Sequence, residues 1–94
     1  MLFDWDEAKN LANQKKHHLS FEEAIHVFSD PLALTKQDRV VRGEERWQTI
    51  GTVRDIVVIV VAHSIHQGND EDIYRIISAR KATSSERNHY EEAE

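Results

Sequence analysis

The fold is decided by a strand that runs directly into a capped helix, Ile73-Tyr74-Arg75-Ile76-Ile77-Ser78-Ala79-Arg80-Lys81-Ala82-Thr83-Ser84-Ser85-Glu86-Arg87. Its first half alternates branched apolar with polar residues, which is typical of a half-buried strand. Thr83 and Glu86 have the spacing of a capping box, which predicts the start of a helix. Arg80 and Lys81 therefore lie at a strand end beside unpaired backbone N–H groups, where a phosphate could bind. Taken alone, two solvated charges closing a strand are the commoner arrangement.

Strict alternation along this strand also predicts which side chains share a face of the sheet. One face is expected to carry Tyr74, Ile76, Ser78 and Arg80, and the opposite face Arg75, Ile77, Ala79 and Lys81. Only one of the two adjacent cations can then point straight at a given face. Arg80 is the favoured one, with Lys81 secondary.

The composition indicates one globular domain spanning residues 1–94. Hydrophobic residues make up 39% of the chain and charged residues 31%, and there is no cysteine for a disulfide or a thiolate metal site. No apolar N-terminal signal is present, and the longest apolar run, from Ile56 to Ala62, is too short to cross a bilayer. We expect a cytoplasmic protein with no membrane contact.

The formal net charge of -5 argues against a protein that coats nucleic acid by bulk electrostatics. A local basic site is still possible, because the acidic residues cluster elsewhere. The comparatively basic segment contains Arg39, Arg42, Arg46, Arg54, Arg75, Arg80 and Lys81. The acidic side could dock a basic partner.

Periodicity and caps predict an α+β fold with the order βαα, a four-stranded antiparallel meander and a last helix. A short strand at Leu2-Phe3 precedes a helix capped by Asp4 or Asp6 that runs to about His17. A second helix begins at the capping box Ser20-Phe21-Glu22-Glu23 and stops at Asp30-Pro31. The predicted strands are Leu32 to Gln37, Glu45 to Val53, Ile56 to Ile65 and Ile73 to Lys81, and the helix begins at Ser84. Only Arg54-Asp55 separates the middle two strands, which predicts a hairpin. The run that begins at Ile56 is apolar on both faces, which predicts a central strand.

These strands could gather Arg46 or Trp47, His63 and Arg80 into one patch on a sheet face. Such a patch is what RNA cleavage by a ribose 2′-hydroxyl requires: a base, cations for the phosphorane, and an acid for the leaving oxygen. His63 could transfer protons because imidazole titrates near neutrality. The more ordinary interpretations are a partly buried His63 and a core Trp47, although Trp47 could stack on single-stranded RNA.

A metal or phosphate-loop enzyme is not indicated. The sequence His63-Ser64-Ile65-His66 puts its two rings on opposite faces of a strand, and no H-E-x-x-H motif or cysteine accompanies the six histidines. None of the three glycines opens a helix. We expect neither a metal nor another cofactor.

Several sequence blocks, in order, resemble the BrnT family of bacterial type II toxins over nearly the whole chain. The matching blocks are Phe3-Asp4-Trp5-Asp6 with Lys9 and Asn13, Lys16-His17, Ser20-Phe21-Glu22-Glu23-Ala24, Val27-Phe28-Ser29-Asp30-Pro31, Gly43-Glu44-Glu45-Arg46-Trp47, Ile50-Gly51, His63, Ile76-Ile77-Ser78-Ala79-Arg80-Lys81-Ala82-Thr83, Glu86-Arg87 and Tyr90-Glu91-Glu92. The resemblance implies a RelE-like fold and a ribonuclease toxin that arrests translation. It also implies neutralisation by a BrnA-type antitoxin with a ribbon-helix-helix part, in a heterotetramer that reaches operator DNA only through the antitoxin. Since the residues indicate no metal site, we expect a metal-independent endoribonuclease.

The resemblance also implies site residues. Arg46, His63, Arg80 and Lys81 are the main candidates, with Glu45, Trp47 and Thr83 in support. Arg80 and Lys81 are expected to hold the scissile phosphate, and His63 or Glu45 to move protons. The alternative is an inactive binding module that holds an antitoxin at its operator. One departure is His18, where the family usually has the glycine that ends a helix in the left-handed conformation.

Overall fold

The chain folds into one mixed sheet with helices on both of its faces, as seen in a computed structural model that describes residues 1–54 and 57–93. Its elements are β1 (Leu2–Trp5), α1 (Glu7–His17), α2 (Phe21–Ala24), a 3₁₀ helix (Ile25–Ser29), β2 (Leu34–Val41), β3 (Glu44–Val53), β4 (Val57–Gln67), β5 (Asp72–Lys81) and α3 (Ser84–Glu92). None of the described helices has the length and apolar character needed to cross a membrane.

The sheet has the strand order β1-β5-β4-β3-β2. Strands β2 to β5 form the predicted antiparallel meander, and β1 joins parallel to β5. The prediction of an α+β fold is confirmed. Strand β4 is the central one, which explains why its apolar residues are buried on both sides.

The two sides of the sheet differ in what covers them. The inner face is covered by a helical layer made of α1, α2 and the 3₁₀ helix. Ile59 and Val61 of β4 pack there with Phe21, Ala24 and Val27. The outer face carries the alternate residues of β4 and is covered at one end only, where α3 lies over Ile50 and Val60. The other end of the outer face has no helix of the described chain across it.

The helix starts follow the predicted caps. Asp6 accepts hydrogen bonds from the first turn of α1, and the Ser20–Glu23 and Thr83–Glu86 capping boxes both form. His18 takes the left-handed conformation with φ 56° that ends α1, a conformation that glycine adopts most readily. Each helix therefore begins where local chemistry places it.

Two predicted segments differ from the structure. The second helix is wrong as one α-helix: it tightens into a 3₁₀ turn after Ala24 and ends at Ser29. The weak strand expected at Leu32 to Gln37 runs from Leu34 to Val41 instead, because it pairs with β3 almost to the turn at Arg42 and Gly43. The turn residue Asp55 and the predicted strand start Ile56 lie outside the described residues.

Two side chains hydrogen-bond to the backbone of the sheet at points where the neighbouring strand is absent. Asn13 of α1 donates to the carbonyl of Ala79 (2.9 Å) and accepts from its N–H (3.1 Å), at a point on β5 beyond the end of β1. Asp30 accepts from the N–H of Thr52 (2.8 Å), beyond the start of β2. Both contacts satisfy backbone groups that would otherwise lack a partner, and both fasten a helical segment to the sheet.

We expect Asn13→Ala to lower the free energy of unfolding by about 1–3 kcal/mol, because it leaves the backbone groups of Ala79 unpaired in a site where Asn13 is only 7% exposed. Urea unfolding of the full chain measures this change. The control Lys9→Ala, at an exposed position of the same helix, should change the value by less than about 0.5 kcal/mol. Equal stabilities of the two variants would contradict the proposed role of Asn13.

Candidate functional site

His63 is a core residue of the inner face. It has no exposed surface, and its Nε2 lies 2.8 Å from the hydroxyl of Thr49. Its ring stacks on Tyr74, with centroids 5.1 Å apart, and meets the ring of Phe28 edge-on. Arg46 and Arg80 lie on the other face of the sheet, so the expected patch of Arg46 or Trp47 with His63 and Arg80 is wrong, although Trp47 does pair with His63.

Burial also fixes the charge of His63. Desolvation lowers the pKa of its imidazole from 6.5 to about 4, and the opposing hydrogen bond to the Ser64 carbonyl is weaker. The ring is therefore neutral at pH 7.

Three other predicted residues share the inner side of the sheet. Trp47 pairs with His63 and is half-buried, and Glu45 is exposed near the β2–β3 turn. Lys81, at the end of β5, is exposed and lines a shallow pocket of about 500 Å³ together with the predicted residues Arg80 and Thr83 and with Lys16 and His18. These residues lie apart from Arg46, which is on the outer face.

Arg80 is engaged by the start of α3. Its guanidinium donates two hydrogen bonds, of 2.7 and 2.9 Å, to the Glu86 carboxylate. This contact lowers the pKa of Glu86 to about 2 and raises that of Arg80. Glu86 also accepts from the N–H of Thr83, whose hydroxyl accepts from the N–H of Glu86. The junction is thus a helix cap reinforced by an arginine, and Thr83 is the capping residue.

The outer face carries a row of arginines at the end away from α3. We call Arg39, Arg46 and Arg75 the arginine row. Arg39 pairs with Arg46 across β2 and β3, and Arg75 pairs with Ser64 across β5 and β4. Because Trp47 pairs with His63, Arg46 lies beside Ser64, and the row therefore crosses four neighbouring strands.

A histidine and a carboxylate adjoin the row. The Nε2 atom of His66 lies 2.9 Å from the hydroxyl of Ser64 and 3.4 Å from Oε2 of Glu44. The other oxygen of Glu44 is 3.0 Å from Nε of Arg46. These contacts join β3 and β4 into one polar cluster on the outer face.

A family comparison covers most of the chain. Residues 5–86 match the family described as the ribonuclease toxin, BrnT, of type II toxin-antitoxin systems. The chain belongs to the BrnT family. A solved structure, the Brucella abortus ribonuclease toxin BrnT, aligns over 89% of this chain and all of its own, with a TM-score of 0.63 and 24% identity. That likeness confirms the BrnT fold, while no curated protein matches the chain.

In this BrnT-family chain, two bulges put arginines on faces of the sheet that strict alternation of side chains does not predict. The pairing of β4 with β5 shifts between Ala62↔Ser78 and His63↔Ile76, so Arg75 and Arg80 lie on the same face. A second shift between Gln37 and Arg39 brings Arg39 beside Arg46. The predicted opposition of Arg75 and Arg80 is therefore wrong.

The sequence did not indicate His66 or Glu44 as site residues, and it indicated Arg39 and Arg75 only as members of a comparatively basic segment. The signal for His66 was the spacing of His63 and His66, which correctly put their rings on opposite faces. In the part of the chain that the structure describes, no three histidine or acidic side chains are grouped to hold a metal ion.

We expect the stability of this BrnT-family protein to fall as the pH decreases from about 6.5 to about 4, because the unfolded chain protonates His63 more readily than the folded one. Unfolding free energies measured across that range would detect the loss. The Glu86 contribution is lost separately, between 4.5 and about 2. The exposed His26→Gln control should reproduce the wild-type pH dependence, and a wild-type curve that is flat from 6.5 to 4 would contradict a buried neutral His63.

Proposed function

We propose that this chain is a toxin that cleaves RNA and thereby inhibits translation, with the RNA bound across the outer face of the sheet. The observation that carries the proposal is the arginine row, in a chain of a ribonuclease toxin family. Guanidinium groups suit this task because their planar donors match phosphate oxygens two at a time. The row gives a local basic surface to a chain whose net charge is -5.

The carboxylates near the row do not prevent phosphate binding. Arg75 lies 3.3 Å from Asp4, Arg39 lies 3.9 Å from Asp38, and both contacts are exposed to solvent. Exposed ion pairs are worth roughly 0–1 kcal/mol, so a phosphate can replace them at small cost. Only the pair of Arg46 with Glu44 is closer and better covered.

Arg80 extends the same surface along the strands. It pairs with Val60, four residues from Ser64 on β4, which puts it roughly 13 Å from the row. We assign it a secondary phosphate contact, because Glu86 already occupies its donors. Lys81 lies at the end of β5, to one side of the proposed RNA path. Trp47 and Glu45 lie on the inner face of the sheet, so we assign them no direct contact with the RNA.

Membership of the BrnT family indicates which kind of protein the chain binds. As a member of a type II toxin-antitoxin family, the chain has an antitoxin partner. We infer that this partner is of the BrnA type, that the two form a heterotetramer in the cytoplasm, and that operator DNA is bound through the ribbon-helix-helix part of the antitoxin. The mixed arginine and carboxylate surface offers charges of both signs to such a partner.

Expression of the wild-type chain without antitoxin should arrest bacterial growth, and Arg46→Ala should relieve the arrest because it removes the centre of the row. Growth curves and the rate of protein synthesis after induction measure both effects. The matched control is Arg87→Ala, an exposed arginine on α3 that should remain toxic. If Arg46→Ala arrests growth as strongly as the wild type, the arginine row is not the RNA site; a harmless wild type that still represses its operon with the antitoxin would favour the inactive binding module.

Cleavage of purified RNA should continue at the same rate in excess EDTA, since guanidinium groups rather than a metal are proposed to stabilise the phosphorane. The rate is measured by gel analysis of an end-labelled transcript, with a metal-dependent nuclease as the control for chelation. Loss of cleavage in EDTA, restored by added Mg²⁺, would contradict the metal-independent mechanism.

A further inference from the structure

We propose that His66 is the residue that protonates the leaving 5′-oxygen when RNA is cleaved at the arginine row. This inference rests on the proposed ribonuclease function and assigns a catalytic residue to that site. It replaces His63, which the fold keeps out of reach of any substrate.

The neighbours of His66 orient its ring. Nε2 faces the Ser64 hydroxyl at 2.9 Å and Glu44 at 3.4 Å, and Glu44 is in turn close to Arg46. The side chain is 46% exposed. A carboxylate beside one ring nitrogen holds a histidine in orientation, which leaves the second nitrogen available to a substrate. For His66 that second nitrogen is Nδ1, which makes no hydrogen bond to residues 1–54 and 57–93.

The remaining histidines are in the wrong places. All six lie in the described part of the chain. His17 and His18 end α1, and His26 is on the 3₁₀ helix that packs against the inner face. His89 is an exposed residue of α3, at the covered end of the outer face near Ile50 and Val60. Within the described chain, only His66 adjoins the arginine row.

The position of His66 relative to the arginines suits phosphodiester cleavage. Ser64, which contacts the imidazole, stands between Arg46 on β3 and Arg75 on β5. A phosphate bound between these two guanidinium groups therefore lies next to the imidazole. Two residues further along β4, His66 pairs with Ile73 of β5.

The proposed reaction is an attack of the ribose 2′-oxygen on its own 3′-phosphate. The ribose 2′-oxygen attacks the adjacent phosphorus, a new P–O2′ bond forms, and the P–O5′ bond breaks. The 2′-hydroxyl releases its proton to a solvent water, and the imidazolium of His66 donates the proton from Nδ1 to the departing 5′-oxygen. The products are a 2′,3′-cyclic phosphate and a 5′-hydroxyl, and His66 regains its proton from solvent. The arginine row stabilises the negative charge of the phosphorane.

The test compares two RNA substrates that differ at one atom. The bond cleaved by the wild-type full chain is first mapped on bacterial RNA, and that sequence is synthesised with either oxygen or sulfur at the bridging 5′ position. A thiolate leaves without protonation, so a 5′-sulfur substrate does not need a general acid. Cleavage rates at saturating RNA are then measured for the wild type, His66→Gln and the control His89→Gln, an exposed histidine on α3.

We expect His66→Gln to cleave the oxygen substrate roughly 100- to 10,000-fold more slowly, which is the usual contribution of a general acid. The same variant should cleave the sulfur substrate within about tenfold of the wild-type rate, and His89→Gln should match the wild type on both. Circular dichroism and urea unfolding establish that His66→Gln is folded.

Three outcomes would overturn the inference. A normal rate of His66→Gln on the oxygen substrate means that His66 moves no proton. An equal loss on both substrates means that it acts on binding or structure. If the wild type cleaves neither substrate, the proposed ribonuclease function fails, and the role of His66 fails with it.

Discussion

The unpaired residue in β5 is the constraint on which both faces of the sheet depend. The pairing with β4 skips Ile77, so Ile76 and Ala79 both enter the inner core although they are three positions apart. The same skip turns Arg75 and Arg80 to the outer face together. Without this bulge, strict alternation would bury one of the two arginines against the helical layer, where an unpaired charge is unfavourable.

The helical layer is held to this sheet by a small number of directed contacts. Asn13 pairs with the backbone of β5 where β1 has ended, and Asp30 pairs with β3 where β2 has not begun. Asp30 also accepts from the hydroxyl of Tyr90, which ties α3 to the edge of the sheet. Burial raises the pKa of Asp30, but the hydrogen bonds from Tyr90, Thr52 and Leu32 together bring it below its ordinary value. The inner face is therefore closed, while much of the outer face is left open for function.

Charge and burial divide the predicted site between these faces. Sequence reasoning identified Arg46 and Arg80, which the structure places on the outer face, but it joined them to His63, which packs with Tyr74 and Phe28. The cluster of Glu44 with His66 was not identified, because its members are separated along the chain and meet only when β3 and β4 pair. A histidine in an alternating segment can serve the core or the surface, and the segment alone does not say which.

The sequence by itself determined the element order, the three helix starts and the central position of β4, because caps and apolar periodicity act over a few residues. It also determined membership of the BrnT family through several ordered blocks. Only the tertiary structure decided the two bulges and the hydrogen bonds of Asn13 and Asp30 to unpaired strand backbone, since strand register depends on the pairing of distant segments. Those bulges bring Arg39, Arg46 and Arg75 into one row, and so the composition of the candidate site is a property of the folded sheet.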